Sequence, residues 1–143
     1  MNNRESILRY SIAMVFIAFG TLKFFPELSP AEVIGSETVC KLTFGLFPQE
    51  YCLLALAVLE VTIGLLLIPK KFIRIAIPLA ILHLIMTFTP FLFFPNEVFN
   101  PAVSSLSLLG QYIIKNVIII SALLMMYPMK EKNDSKSLQS KPL

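Results

Sequence analysis

Residues 51–68 read YCLLALAVLEVTIGLLLI, an apolar run that carries a single carboxylate, Glu60, at its middle. A helix rises about 1.5 Å per residue and the hydrocarbon core of a bilayer is about 30 Å thick, so this run predicts a transmembrane helix. An acidic side chain at the centre of such a helix costs about 2.5 kcal/mol or more, and it usually faces a partner or a wet cavity inside a bundle. The fold must therefore bring a partner to Glu60.

Three other apolar runs are also long enough to span. Hydrophobic residues make up 56% and charged residues 15% of the 143-residue chain, and its mean hydropathy is +0.76, which is outside the range of ordinary soluble domains. We therefore predict an all-α, polytopic membrane protein, a four-transmembrane-helix bundle formed by one domain over residues 1–127. A signal peptide is the alternative for the first run, but that run lacks a small-residue cleavage site. The predicted spans are residues 7–25, 51–68, 72–94 and 106–127.

The positive charges fall on one side of this bundle. The positive-inside rule then places both termini and the connection between the second and third spans in the cytoplasm. Residues 128–143 are polar and charged, which predicts a disordered cytoplasmic tail. The net charge of +3 comes without a basic patch interleaved with aromatics, so nucleic acid is not an expected partner. The charges in question are Arg4 and Arg9 flanking the start of the first span, Lys70, Lys71 and Arg74 in the turn between the second and third, and Lys130, Lys132, Lys136 and Lys141 after the fourth.

The predicted outer connections differ from each other. Residues 26–50 contain Ser29, Pro30 and Glu32 in the order of a helix start, which predicts a short helix on the outer surface between the first and second spans. Residues 95–105 read as a loop.

Both cysteines, Cys40 and Cys52, fall on the outer, oxidising side. A structural disulfide and two free thiols are both compatible with the sequence. Their spacing is wider than the C-x-x-C of redox-active pairs, which disfavours a catalytic role.

Several polar side chains share one depth in the predicted bundle. Glu60 and Lys115 each lie about 13 Å from the outer end of their span, and His83 lies about 16 Å in. Pairing a buried acid with a buried base is the simplest arrangement, so we predict that Glu60 pairs with Lys115, Lys23 or both. His83 is either a satisfied core residue or a hydrogen-bond donor or proton carrier at a ligand, and a lone histidine predicts no metal site.

Helical spacing places these polar side chains on faces that also carry small residues, which is typical of the interior of a membrane bundle. Leu, Ile and Phe would then face lipid. The predicted interior faces are Ala13, Phe16, Gly20 and Lys23; Ala57, Glu60 and Gly64; Ala76, Ala80, His83 and Thr87; and Gln111, Lys115 and Ala122.

Three segments resemble the DoxX family of small four-helix bacterial membrane proteins. They are GTLKF at 20–24, EVTIG at 60–64 and GQYIIKN at 110–116, within a similarity from about Arg9 to Tyr127. Lys23, Glu60 and Lys115 match the charged positions of the family. The resemblance implies a bacterial inner-membrane bundle linked to quinone oxidoreductases, since relatives include subunits of thiosulfate:quinone oxidoreductase and members of membrane complexes that answer oxidative stress.

Three functions follow as hypotheses. The first is an accessory subunit that binds a quinone-like ligand or a partner subunit, without an intrinsic cofactor and not catalytic alone. The second is a structural or assembly protein in which a Glu–Lys pair only holds the helices of the bundle together. Self-association of the chain is compatible with both of these hypotheses. A proton-linked transporter is less favoured, because four helices without an internal repeat offer little machinery for alternating access. No phosphate-binding glycine loop, G-x-S-x-G or H-E-x-x-H motif is present.

Overall fold

In a computed structural model of the chain, residues 3–25, 32–100 and 105–128 are described, with the side chains of residues 32–33 left aside. Within these ranges four helices are long and apolar enough to cross a membrane, as the sequence predicts. The predicted tail, apart from Pro128, lies outside the described residues. The four helical segments are α1 (Asn3–Leu22), α3 (Gln49–Leu67), the segment Lys70–Phe93 and α7 (Leu108–Met126).

The third segment is made of three pieces. A 3-10 turn at Lys70–Phe72 leads into α4 (Ile73–Met86), which continues past Pro78, and α5 (Pro90–Phe93) follows after a break. Pro90 has no N–H for the Met86 carbonyl four residues earlier. That carbonyl instead accepts hydrogen bonds from the Thr89 hydroxyl at 2.7 Å and the Thr89 amide at 3.1 Å. A hydroxyl therefore satisfies the carbonyl that the proline leaves free, an arrangement that would suit a helix in a membrane.

The short helix between the first two spans is present as α2 (Glu32–Leu42). Its predicted start at Ser29 and Pro30 lies outside the described residues. Cys40 and Cys52 form a disulfide that joins α2 to α3, with their Cα atoms 5.8 Å apart. The alternative of two free thiols is therefore wrong.

The described part of the connection before α7, residues 95–100 and 105–107, contains regular structure where the sequence predicts a loop. It contains the helical turn α6 (Pro95–Val98) and two antiparallel two-residue strands, β1 (Phe99–Asn100) and β2 (Ser105–Leu106). The amide of Ser107 donates to the Val98 carbonyl at 2.9 Å, and the Ser107 side chain accepts from the Gly110 amide as the N-cap of α7. These hydrogen bonds satisfy backbone N–H and C=O groups that would bond to water in an irregular loop.

The predicted interior faces are confirmed by burial on the first three spans, where the small and polar residues are buried except for Lys23 and Thr87, which are partly exposed. On the fourth span the predicted face is confirmed only for Ala122, which packs against the core, whereas Gln111 and Lys115 are exposed. α7 is apolar over most of its circumference, so its packing rather than its polar residues sets its rotation. The residues that α7 buries are Gly110, Ile113, Leu123 and Met126.

Candidate functional site

Glu60 lies in a three-residue polar cluster in the bundle interior. Its Oε2 is 2.6 Å from the Lys23 Nζ, and its Oε1 is 3.2 Å from the His83 Nε2. The side chains of Lys23 and Glu60 are each 10% exposed and that of His83 is 6% exposed. The prediction that Glu60 pairs with Lys23 is confirmed, and the cluster is called the Glu60 cluster below.

Close approach of α1 and α3 brings Lys23 to Glu60. A Cβ atom added at Gly20 would lie 2.9 Å from both the Glu60 Cβ and the Val61 amide nitrogen, so only glycine fits there. Lys23 follows Gly20 by three residues, which places both on one side of the chain. Its Nζ also approaches the Phe19 carbonyl at 3.4 Å.

His83 reaches the cluster from α4. Ala76 and Ala80 precede it on the same face and are fully buried, which lets α4 pack closely into the bundle. The ring of Phe16 lies 5.8 Å from that of His83, centroid to centroid. At 3.2 Å, the Nε2 position fits a hydrogen bond donated to Glu60, so both carboxylate oxygens have a partner.

A cavity of about 480 Å³ opens beside this cluster. Its wall is mainly apolar and comes from α1, α2, α3, α4 and α7, with α2 contributing one side. Four groups of polar side chains interrupt this wall: the Glu60 cluster, Thr87 with Asn116, Lys115 with Tyr112, and Thr38 on α2. The dimensions and the few polar groups are typical of sites for small apolar ligands. Apolar residues on its wall include Phe16, Phe19, Ile34, Val39, Leu56 and Ile113.

Lys115 lines this cavity without joining the Glu60 cluster. Its Nζ lies 3.7 Å from the centroid of the Tyr112 ring, a cation–π contact, and among the described residues only Lys23 and His83 are within salt-bridge distance of Glu60. The pairing of Glu60 with Lys115 is therefore not formed. Gln111 is outside the cavity wall, exposed, and donates to the Leu106 carbonyl at 3.2 Å.

Two polar features of the interior escape the sequence-based prediction. The Asn116 side chain donates to the Thr87 hydroxyl at 2.8 Å, which links α7 to α4 on the cavity wall. Asn116 is the one asparagine inside the apolar run of residues 106–127, and its position there could have indicated a hydrogen bond to another helix.

Arg9 is the second such feature. It was expected to flank the first span, but it is 2% exposed, and its Nε and Nη1 have no hydrogen-bond partner among the described residues. Its guanidinium carbon lies 4.6 Å from the centroid of the Tyr10 ring.

Within the described residues, no group of three histidine, cysteine or acidic side chains is arranged to hold a metal ion. No family model matches the chain, and no curated protein or solved structure is significantly similar to it.

Proposed function

We propose that this chain is a multi-pass protein of the bacterial inner membrane, resembling DoxX, that binds an apolar quinone-like ligand as an accessory subunit of a quinone-linked redox or oxidative-stress complex. Both termini would face the cytoplasm. The observation that carries the proposal is the mainly apolar cavity of about 480 Å³ with the buried Glu60 cluster on its wall.

The polar groups on the cavity wall favour a ligand with carbonyl oxygens. Lys23, His83, Asn116 and the Tyr112 hydroxyl all carry hydrogen-bond donors, and each lines the cavity. The rest of the wall is mainly hydrocarbon, so it suits a ring or an isoprenoid-like chain better than a strongly hydrated molecule. A quinone combines these two properties.

The residues that line the cavity support an accessory role. No cysteine is among the residues that line it, and within the described residues no three histidine, cysteine or acidic side chains are grouped to hold a metal ion. Electrons passing to or from a quinone there would need a donor or acceptor on a partner subunit. The expected role is to bind and orient the ligand for that partner.

The test begins with the ligand itself. Protein purified in a mild neutral detergent is extracted with organic solvent, and the extract is analysed for quinones by chromatography and mass spectrometry. We then expect a short-chain ubiquinone or menaquinone analogue to raise the melting temperature of the stripped protein. If no quinone copurifies and the analogue leaves the melting temperature unchanged, the ligand proposal is wrong.

A matched pair of variants on α7 locates the binding site. Asn116→Leu removes a polar group from the cavity wall, whereas Gln111→Leu makes a similar change at an exposed position outside it. Loss of one ligand hydrogen bond is worth about 0.5–1.5 kcal/mol, so the first change should weaken analogue binding about 2- to 10-fold and the second should not. Equal weakening by both variants would place the ligand elsewhere.

The structural alternative is favoured by one specific observation: both oxygens of Glu60 already have partners within the protein. Removing one member of a buried ion pair typically costs about 3–5 kcal/mol, and replacing both restores much of that loss. Glu60→Gln should therefore destabilise the bundle, and the double variant Glu60→Gln/Lys23→Met should recover stability. Lys115→Met is the control, because Lys115 does not pair with Glu60. If the double variant recovers stability and the wild type binds no quinone, the cluster is a structural lock only.

Membrane orientation has its own test. A C-terminal green fluorescent protein fusion should fluoresce and a C-terminal alkaline phosphatase fusion should be inactive, because each reporter works on one side of the inner membrane. The opposite pair of results would place the C-terminus outside.

A further inference from the structure

A second cavity, of about 560 Å³, lies at the end of the bundle opposite Lys23. It is formed where α1 begins, where α3 connects to α4, and where α7 ends. We call it the basic groove. Its lining residues are Glu5, Lys70, Lys71, Ile73, Arg74, Met125, Met126, Tyr127 and Pro128.

The groove carries an excess of positive charge. Three cations, Lys70, Lys71 and Arg74, and one carboxylate, Glu5, line it, which leaves a net charge of +2 from 3 − 1. All three cations are exposed, and neither Lys70 nor Arg74 forms a salt bridge with another described residue. Within the described part of the chain, their exposed head groups are therefore within reach of an anion.

Arg9 adds to the positive potential at this end of the bundle. It follows Glu5 by four residues and so lies one turn deeper on the same side of α1. Its side chain is buried, with Nε and Nη1 unpaired among the described residues. Its positive charge adds to that of the three cations that line the groove.

One wall of the groove is apolar and continues along α7. Met125 is 85% exposed and Ile118 is 71% exposed, and their seven-residue spacing puts them on one face of the helix. Met126 and Ile73 belong both to the groove and to the hydrophobic core. A ligand seated here would meet cations at one end and a strip of exposed hydrocarbon at the other.

We propose that the basic groove binds the phosphate of an anionic phospholipid, with Lys70, Lys71 and Arg74 around the phosphate and the acyl chains along the Ile118–Met125 face of α7. Clusters of Lys and Arg next to membrane helices bind anionic head groups in this way. The inference rests on the membrane insertion proposed above but not on the quinone. The alternative source of the same chemistry is a soluble phosphate ester, which would not use the apolar face.

The experiment compares three probes on the full chain, stripped of lipid in a neutral detergent. They are phosphatidylglycerol, phosphatidylcholine and glycerol 3-phosphate. We expect phosphatidylglycerol to bind and to raise the melting temperature well above the other two, and added salt to weaken its binding. Equal effects of the two lipids would overturn the proposal, and an equal effect of glycerol 3-phosphate would assign the groove to a soluble ester instead.

Variants then assign the binding to the groove. Each cation near a membrane surface is worth about a fivefold change in affinity, so Arg74→Gln and Lys71→Gln should each weaken phosphatidylglycerol binding about fivefold. Lys41→Gln is the control, because Lys41 lies on α2, far along the chain from the groove, where it contacts the rings of Phe93 and Phe94. The shift in melting temperature on adding lipid is measured relative to the same variant without lipid. A variant that only changes the stability of the fold is therefore not mistaken for one that changes lipid binding. Equal weakening by the control would overturn the assignment.

The quinone analogue is added in parallel to the same samples. If phosphatidylglycerol raises the melting temperature and the quinone analogue does not, the proposed function is refuted and the lipid site in the groove is still supported. The reverse result would refute the groove alone.

Discussion

The contact between α1 and α3 depends on Gly64, and its replacement by alanine is the sharpest test of this packing. A Cβ atom at residue 64 would lie 2.6 Å from the Ile17 Cγ1, 2.9 Å from the Ala13 carbonyl oxygen and 3.0 Å from the Ile17 amide nitrogen. Ordinary contacts are about 3.5 Å or longer. Two of the three atoms are backbone, so a side-chain rotation cannot remove the overlap and the helices must separate by about 0.5 Å.

The sign of the effect follows from two opposing contributions. Alanine is favoured over glycine inside a helix by about 1 kcal/mol, whereas overpacking a close contact costs about 1–3 kcal/mol. Because backbone atoms are involved, we expect the cost to lie near its upper end, and Gly64→Ala should lower the free energy of unfolding by about 2 kcal/mol. The separation should also weaken the Lys23–Glu60 ion pair, one turn away along α3.

The free energy is measured by reversible unfolding in mixed micelles with increasing sodium dodecyl sulfate. Gly35→Ala in α2 is the matched control, since its Cβ would meet only the Leu56 Cδ2, at 3.3 Å, at the end of a flexible side chain. We expect the control to be unchanged or slightly more stable. If Gly64→Ala is as stable as Gly35→Ala, the close approach of α1 and α3 is not a feature of the folded protein.

Two further predictions concern the links between helices. The Cys40–Cys52 disulfide closes a loop with a sequence separation of 12, so Cys52→Ser should cost about 3 kcal/mol, and a reductant should lower the melting temperature of the wild type but not that of the variant. A reductant effect of the same size on the variant would contradict this. Thr87→Val should cost about 0.6 kcal/mol through loss of the hydrogen bond from Asn116, a typical value for such bonds in membrane bundles, and adding Asn116→Leu should cost little more. Fully additive losses in this double-mutant cycle would mean that the two side chains do not interact.

The sequence was sufficient to predict the general architecture. Length and hydropathy predict the four long apolar helices, because a span must have about 20 apolar residues whatever its neighbours are. The order of residues around Glu32 predicts α2. Small residues at helical spacing predict the buried faces of the first three spans, since close helix packing needs them.

The site itself could be predicted only in part. A carboxylate at the centre of an apolar run needs a partner, so the sequence predicts a buried pair for Glu60 but leaves Lys23 and Lys115 as equal candidates. Depth along a helix follows from residue number, whereas rotation about its axis does not when apolar residues surround it. The spacing of residues in the sequence therefore could not predict that Lys115 lies over the Tyr112 ring.

By itself, then, the sequence determines how many helices are long enough to span, how they are ordered, and that Glu60 must be compensated. Tertiary structure decides that Lys23 and His83 are the compensating groups, that Cys40 and Cys52 are bridged, and that a cavity opens beside the Glu60 cluster. The physical reason is that hydropathy and helix rise are local properties of the chain. The meeting of two side chains depends instead on how closely the helices approach and how each is rotated, and both result from packing the whole bundle.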